Sequence, residues 1–206
     1  MAIECDIRFS GLRYPGTGDS IVTLSHGISP STFTVQVANL GSGGNSQRGM
    51  LRILVNGVDV VHPFEDCAIS RVVSADSSTI TVSILDRRHR WKNGGGVVNG
   101  WWNRRKSNGE VDASTYKSPR ELAYILLVER LGEKNPDLAG IPEDIPRDMA
   151  PEAKWDHERP AEALGRLVDA LGCRVVLGTD NRVRIVRLGV GRHLPGGGHS
   201  PVMDET

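Results

Sequence analysis

The chain carries no net charge, with Lys plus Arg and Asp plus Glu at 25 each in 206 residues. A whole-chain electrostatic pull on nucleic acid or an anionic membrane therefore has no basis. Weak self-repulsion instead suits a protein that lives in an assembly. No apolar run approaches the roughly 18 residues of a membrane span. Met1-Ala2-Ile3-Glu4-Cys5-Asp6 has neither the basic flank nor the apolar core of a signal peptide. Cys5, Cys67 and Cys173 form an odd, scattered set, which excludes a disulfide framework and offers no metal-ligand spacing. Synthesis in a reducing cytoplasm is expected. The histidines (His26, His62, His89, His157, His193 and His199) include no i, i+4 pair of the kind that holds a metal on a helix. No cofactor is implied, and no internal repeat is visible.

What is present reads first as β. Ile3–Phe9 and Thr32–Ala38 alternate apolar and polar residues, the pattern of half-buried strands. Met50–Val55 leads into Asn56-Gly57, a type I′ turn signal, and Val58–Val61 returns as the second arm of a hairpin. Ala68–Val73 and Thr79–Leu85 flank the polar turn Ser74–Ser78. Short strands at this spacing predict a small antiparallel barrel or sandwich over 1–91. Residues 92–112, from Lys92 through Gly94-Gly95-Gly96 to Gly109, are expected to be a long Gly-rich loop that a partner orders.

A helical and hairpin segment is expected over 113–190. Ser118, Pro119 and Glu121 make a capping box with Pro at the first helical position. Leu122, Ile125, Leu126 and Val128 supply the apolar surface, and Gly132 ends the helix. Asn135–Pro151, with Pro136, Pro142, Pro146 and Pro151, reads as an ordered but irregular connector on the outside. A second helix starts at Pro160; Leu164, Leu167, Val168 and Leu171 form one stripe, and Gly172 stops it. Cys173–Leu177, a turn at Gly178–Asn181 and Arg182–Leu188 form a hairpin. Residues 191–206 read as a Gly-rich tail or linker. The fold class is thus α+β.

Candidate chemistry is sparse. Gly16–Ser20 and Gly41–Asn45 lack the Lys-Ser/Thr ending of a phosphate loop and read as plain loops. His157, between Asp156 and Glu158, could be oriented as a base. Acidic residues before a helix start have a simpler reason in the helix dipole. A Cys–His nucleophile using Cys173 or Cys67 with His157 has no local signature. Trp101-Trp102-Asn103-Arg104-Arg105-Lys106 mixes aromatics and cations. It fits a protein interface anchored by Trp101, Trp102, Arg104 and Arg105, plain packing, or a single-strand nucleic-acid platform. Asp86-Arg87-Arg88-His89-Arg90-Trp91 is expected to be a strand end with solvated ion pairs, each contributing about 1 kcal/mol or less.

Three segments resemble the tail hub (baseplate hub) proteins of tailed bacteriophages. Ser83–Trp91 resembles the end of the hub's first barrel, Tyr116–Glu133 the helix after it, and Trp155–Leu164 with the 173–188 hairpin the passage into the next β unit. The resemblance implies a non-enzymatic virion protein, α+β, usually a homotrimeric ring. It would be assembled in the host cytoplasm and located at the tail tip. It would join the tail tube or distal tail protein to a central spike or fibre, without membrane contact and with DNA at most passing through its lumen. Hubs are usually longer, so the chain is expected to be the N-terminal part of a hub or one half of a split hub. A tail-associated hydrolase or cysteine peptidase and a nucleic-acid-binding module are the alternatives.

Overall fold

The computed structural model describes residues 5–9, 12–23, 25–38, 48–55, 57–59, 64–74, 79–92, 94–178 and 180–189. Its first seven strands are β1 (Cys5–Phe9), β2 (Leu12–Thr23), β3 (Thr32–Ala38), β4 (Arg48–Val55), β5 (Val58–Asp59), β6 (Phe64–Ser74) and β7 (Thr79–Leu85). All pair antiparallel, in the order β1-β2-β3-β7-β6-β4-β5. A further β1–β4 ladder, Cys5↔Val55 through Phe9↔Leu51, brings the circuit back to its first strand and makes the sheet barrel-like. Alternation sets the inside. Phe33 and Val35 are buried while Thr32 and Thr34 are half-exposed, and Val82 and Ile84 are buried between Thr81 and Ser83. Phe9, Leu51, Phe64 and Cys67 complete this core, with the Phe33 and Phe64 rings 5.1 Å apart between centroids.

Gly16–Ser20 corrects the expectation of a loop. It lies inside β2, where the register against β3 shifts between Gly16 and Ser20, as a bulge does. The hairpin at Asn56-Gly57 forms, with Val55 opposite Val58 and Gly57 at φ +80°, although Asn56 itself lies outside the described residues. So do Gly41–Asn45, the 75–78 part of the polar turn, His62, His193, His199 and the 191–206 tail.

A second apolar core gathers Trp91, Val98, Leu122, Leu126, Leu127, Ile141, Trp155, Leu164, Leu167, Val175 and Ile185. The expected 92–112 loop is largely structured. β8 (Val98–Trp102) pairs antiparallel with β9 (Ala153–Glu158), and Arg105 bridges Val111. Trp155–Glu158, the stretch just before the Pro160 helix, is therefore strand. Helix α1 (Pro119–Tyr124) has the expected capping box: Glu121 N–H donates to Ser118 Oγ (3.2 Å) and Ser118 N–H to Glu121 Oε2 (2.7 Å). It continues as a π-helical stretch, Ile125–Arg130. The buried face runs on through it at i, i+4 spacing, Leu122 to Leu126 and Ala123 to Leu127, while Val128 is only half-buried.

Helix α2 (Pro160–Ala170) buries Ala161, Ala163, Leu164, Leu167 and Val168, with Leu171 half-buried beyond its end. Gly172, at φ +62°, takes the chain into β10 (Cys173–Leu177), which pairs with β11 (Val183–Arg187). The Pro-rich connector docks along β11. Asp137 N–H donates to Val183 O (2.8 Å), Ile185 N–H to Asp137 O (2.8 Å) and Gly140 N–H to Ile185 O (3.1 Å). Gly140 is required there, because a Cβ would stand 2.1 Å from Ile185 O.

Candidate interaction surface

Trp101 and Trp102 are neighbours on β8, so their side chains leave opposite faces of the ribbon. Trp101 remains 41% exposed and walls a depression of about 520 Å³ with Pro151, Trp155, Leu167 and Ala170. Its Nε1–H donates to Glu152 Oε1 at 2.5 Å. The Arg104 guanidinium carbon and Lys154 Nζ lie 4.7 and 5.0 Å from the ring centroid, within cation–π reach. The indole is thus a rigid, cation-flanked platform. Neither Arg104 nor Lys154 has an ion-pair partner among the described residues.

Trp102 faces the other way, into a depression of about 490 Å³ with Lys117, Tyr124 and Ile125. Lys117 Nζ sits 4.9 Å from its ring centroid. Arg105 is occupied with the fold: its guanidinium donates to Asp148 O (2.7 Å) and Ala150 O (2.9 Å), tying the connector to the 105–111 turn. Of the four expected interface residues, the structure brings Trp101 and Arg104 into one exposed site, turns Trp102 to another, and gives Arg105 a backbone-binding task.

Asn103 holds this arrangement. It is fully buried at φ +54°. Its Nδ2 donates to Pro151 O (2.9 Å), its Oδ1 accepts from Lys117 N–H (2.9 Å), and its own N–H donates to Thr115 O (3.0 Å). Asn tolerates this left-handed backbone better than most residues. The amide locks the Trp101 strand to both neighbouring segments.

His157 does not meet a thiol. It is the extra residue of a bulge in which Asp156 and His157 face Asn99 alone, and it sits at φ +51° with its N–H donating to Asn99 Oδ1 (2.8 Å). Its exposed ring reaches Asp156 (Nδ1–Oδ1 2.9 Å). Cys67 Sγ lies near Phe64 O and Cys173 Sγ near Gly140 O and Leu171 O, both residues fully buried. Burial pushes the Cys67 thiol up to about 12, and burial likewise raises Cys173. A thiolate nucleophile needs the opposite environment. Among the described residues no group of three or more His, Cys, Asp and Glu could hold a metal.

The Asp86–Trp91 cluster corrects the expectation of solvated pairs. Asp86 and Arg88 are fully buried, with Arg88 Nη2 2.7 Å from Asp86 Oδ2. Arg88 also donates to Gly27 O (2.8 Å), Ser25 O (2.9 Å) and Ser31 Oγ (3.0 Å), while Asp86 accepts from the N–H groups of Ser31 (2.6 Å) and Arg88 (2.8 Å). Gly27 N–H in turn donates to Val175 O (2.7 Å), and Ile28 packs on the second core. This network joins the barrel-like sheet to the C-terminal hairpin. Arg87 and Trp91 meet on the buried Glu133, at 2.8 and 3.0 Å. Charge-rich composition hid this network; the only local hint was Asp86 two residues before Arg88.

No protein-family model matches the chain, and no curated protein matches its sequence. Solved structures do match. The 43 kDa tail protein of prophage MuSo2 from Shewanella oneidensis superposes with a TM-score of 0.57 at 18% identity, covering 91% of this chain and 56% of that one. The chain has a phage tail-protein fold. A tail protein from Neisseria meningitidis MC58 gives 0.54 at 13% identity over 90% of this chain and 50% of its own. Prophage tail protein gp18 from Listeria monocytogenes EGD-e gives 0.52 at 5% identity over 89% and 50%. The chain spans about half the length of these tail proteins.

Proposed function

We propose that the chain is a non-enzymatic structural subunit of a phage tail tip, the hub part of a homotrimeric ring that joins the tail tube to a central spike or fibre. The observation that carries this reading is that nine-tenths of the chain, barrel-like sheet and helix–hairpin segment together, follows the fold of tail proteins. The burial of both described thiols away from His157 supports a structural role over a cysteine peptidase. The two apolar cores support a division near residue 91 into a barrel-like unit and a helix–hairpin unit.

Sedimentation velocity on the full chain over a wide concentration range tests the ring, with electron microscopy of the largest species. A species of three copies with a central opening is expected. A monomer at every concentration would sink the ring.

A further inference from the structure

We infer that the Trp101 groove receives the Pro142–Pro146 segment of a second copy of this chain, a contact that rests on the ring reading above. The groove's requirements are on its surface. Its floor is apolar, from Pro151 and Leu167, and its rim is cationic on balance: Lys154 and Arg166, the latter paired with Glu158, stand beside one carboxylate, Glu152, which accepts from the Trp101 indole, and Arg104 lies over the Trp101 ring. An occupant must therefore bring apolar rings for the floor and carboxylates for the rim.

The connector of this same chain offers both. Pro142-Glu143-Asp144-Ile145-Pro146 sets two adjacent acidic residues between two prolines. Glu143, Asp144 and Pro146 are exposed, and Asp144 has no ion-pair or hydrogen-bond partner among the described residues. Glu143 pairs with Arg120, whose Nε also donates to Ile141 O (2.8 Å), so the segment is presented in a fixed conformation. Aromatic-lined grooves take proline-framed extended segments because little chain entropy is lost on docking. Groove and segment are different patches of one chain, so the contact can be made head-to-tail, the arrangement that forms a ring when its rotation closes.

The test is charge exchange in the full chain. Lys154→Glu and Asp144→Lys each place like charges together across the contact and should weaken self-association about tenfold or more by sedimentation equilibrium. Circular dichroism checks that both variants, changed only at exposed positions, remain folded. The double variant Lys154→Glu/Asp144→Lys should recover association to within about threefold of the original. Wild-type assembly that persists unchanged in both single variants would overturn this contact and leave the ring standing. A wild-type chain that stays monomeric would overturn both. Tight binding of oligothymidylate that Lys154→Glu abolishes, with association unaffected, would assign the groove to nucleic acid instead.

Discussion

Arg88→Met is the perturbation that separates a buried network from a solvated charge pair. Methionine fills much of the arginine's volume but donates nothing. Asp86 would then stay fully buried without its counter-charge, which costs about 3–5 kcal/mol in comparable buried pairs. In a chain of this size each kcal/mol lowers the melting temperature by about 2–4 °C, so a fall of about 6–20 °C is expected. A simple ion pair would be rescued by making both positions apolar, Asp86→Leu with Arg88→Met. Here rescue should fail. The N–H groups of Ser31 and Arg88 would lose their acceptor, and Gly27 O and Ser25 O their donor. Each orphaned group costs about 1–3 kcal/mol. Arg52→Ala is the control, since the Arg52–Asp59 pair is partly exposed and screened by solvent, so its loss should leave the melting temperature nearly unchanged. Thermal and urea unfolding at one fixed protein concentration, followed by tryptophan fluorescence and near-ultraviolet circular dichroism, reads all of these. A double variant that melts at or above the wild type would refute the network argument.

Three further expectations follow from the packing. Leu164→Asp puts a carboxylate in a fully buried site with no partner and should unfold the helix–hairpin segment, seen as lost amide protection from 119 to 187; full thermal stability would show that α2 is not packed as described. Gly140→Ala should destabilise by about 1–3 kcal/mol because its Cβ meets Ile185 O at 2.1 Å, whereas Gly165→Ala, whose Cβ meets Ile28 Cδ1 at an ordinary 3.6 Å inside α2, should stabilise by about 0.5–1 kcal/mol; urea midpoints moving in the same direction would contradict the geometry. Cys67, with its folded pKa raised from 9.0 to about 12, contributes stability that is complete below about pH 9 and is lost as pH rises toward 12. At pH 8 neither Cys67 nor Cys173 should react with a thiol reagent until denaturant is added, and rapid stoichiometric labelling of native protein would count against their burial.

How much of this was readable from the residues depends on the range over which each feature is determined. The Ser118 capping box, the Pro160 helix with its Leu164–Leu171 stripe, the Gly172 stop and the 173–188 hairpin each rest on residues within a dozen positions of one another, and propensity, capping and periodicity all agree there. The alternation of Thr32–Ala38 and Thr79–Leu85 likewise set which side chains face inward. Gly16–Ser20 failed because glycine is a turn residue and a bulge residue alike, and only the partner strand β3 distinguishes the two.

Tertiary structure decided what depends on distant partners. β8 reads as a glycine-rich excursion until β9, some fifty positions on, supplies the other half of its ladder. The alternation in Ala153-Lys154-Trp155 was the one local sign of that strand. Asn103 carries no mark of burial until Pro151 and Lys117 close on its amide. Arg88 is the sharpest case. Asp86, two residues before it, is the one local sign, because the other groups that satisfy its guanidinium come from 25–31, more than fifty residues away, and only the closed chain places them around it. The residues by themselves determined the local elements and the apolar faces they present. Which polar groups those elements enclose, and so which residues anchor the surface and which are left free on it, was determined only when the chain folded back on itself.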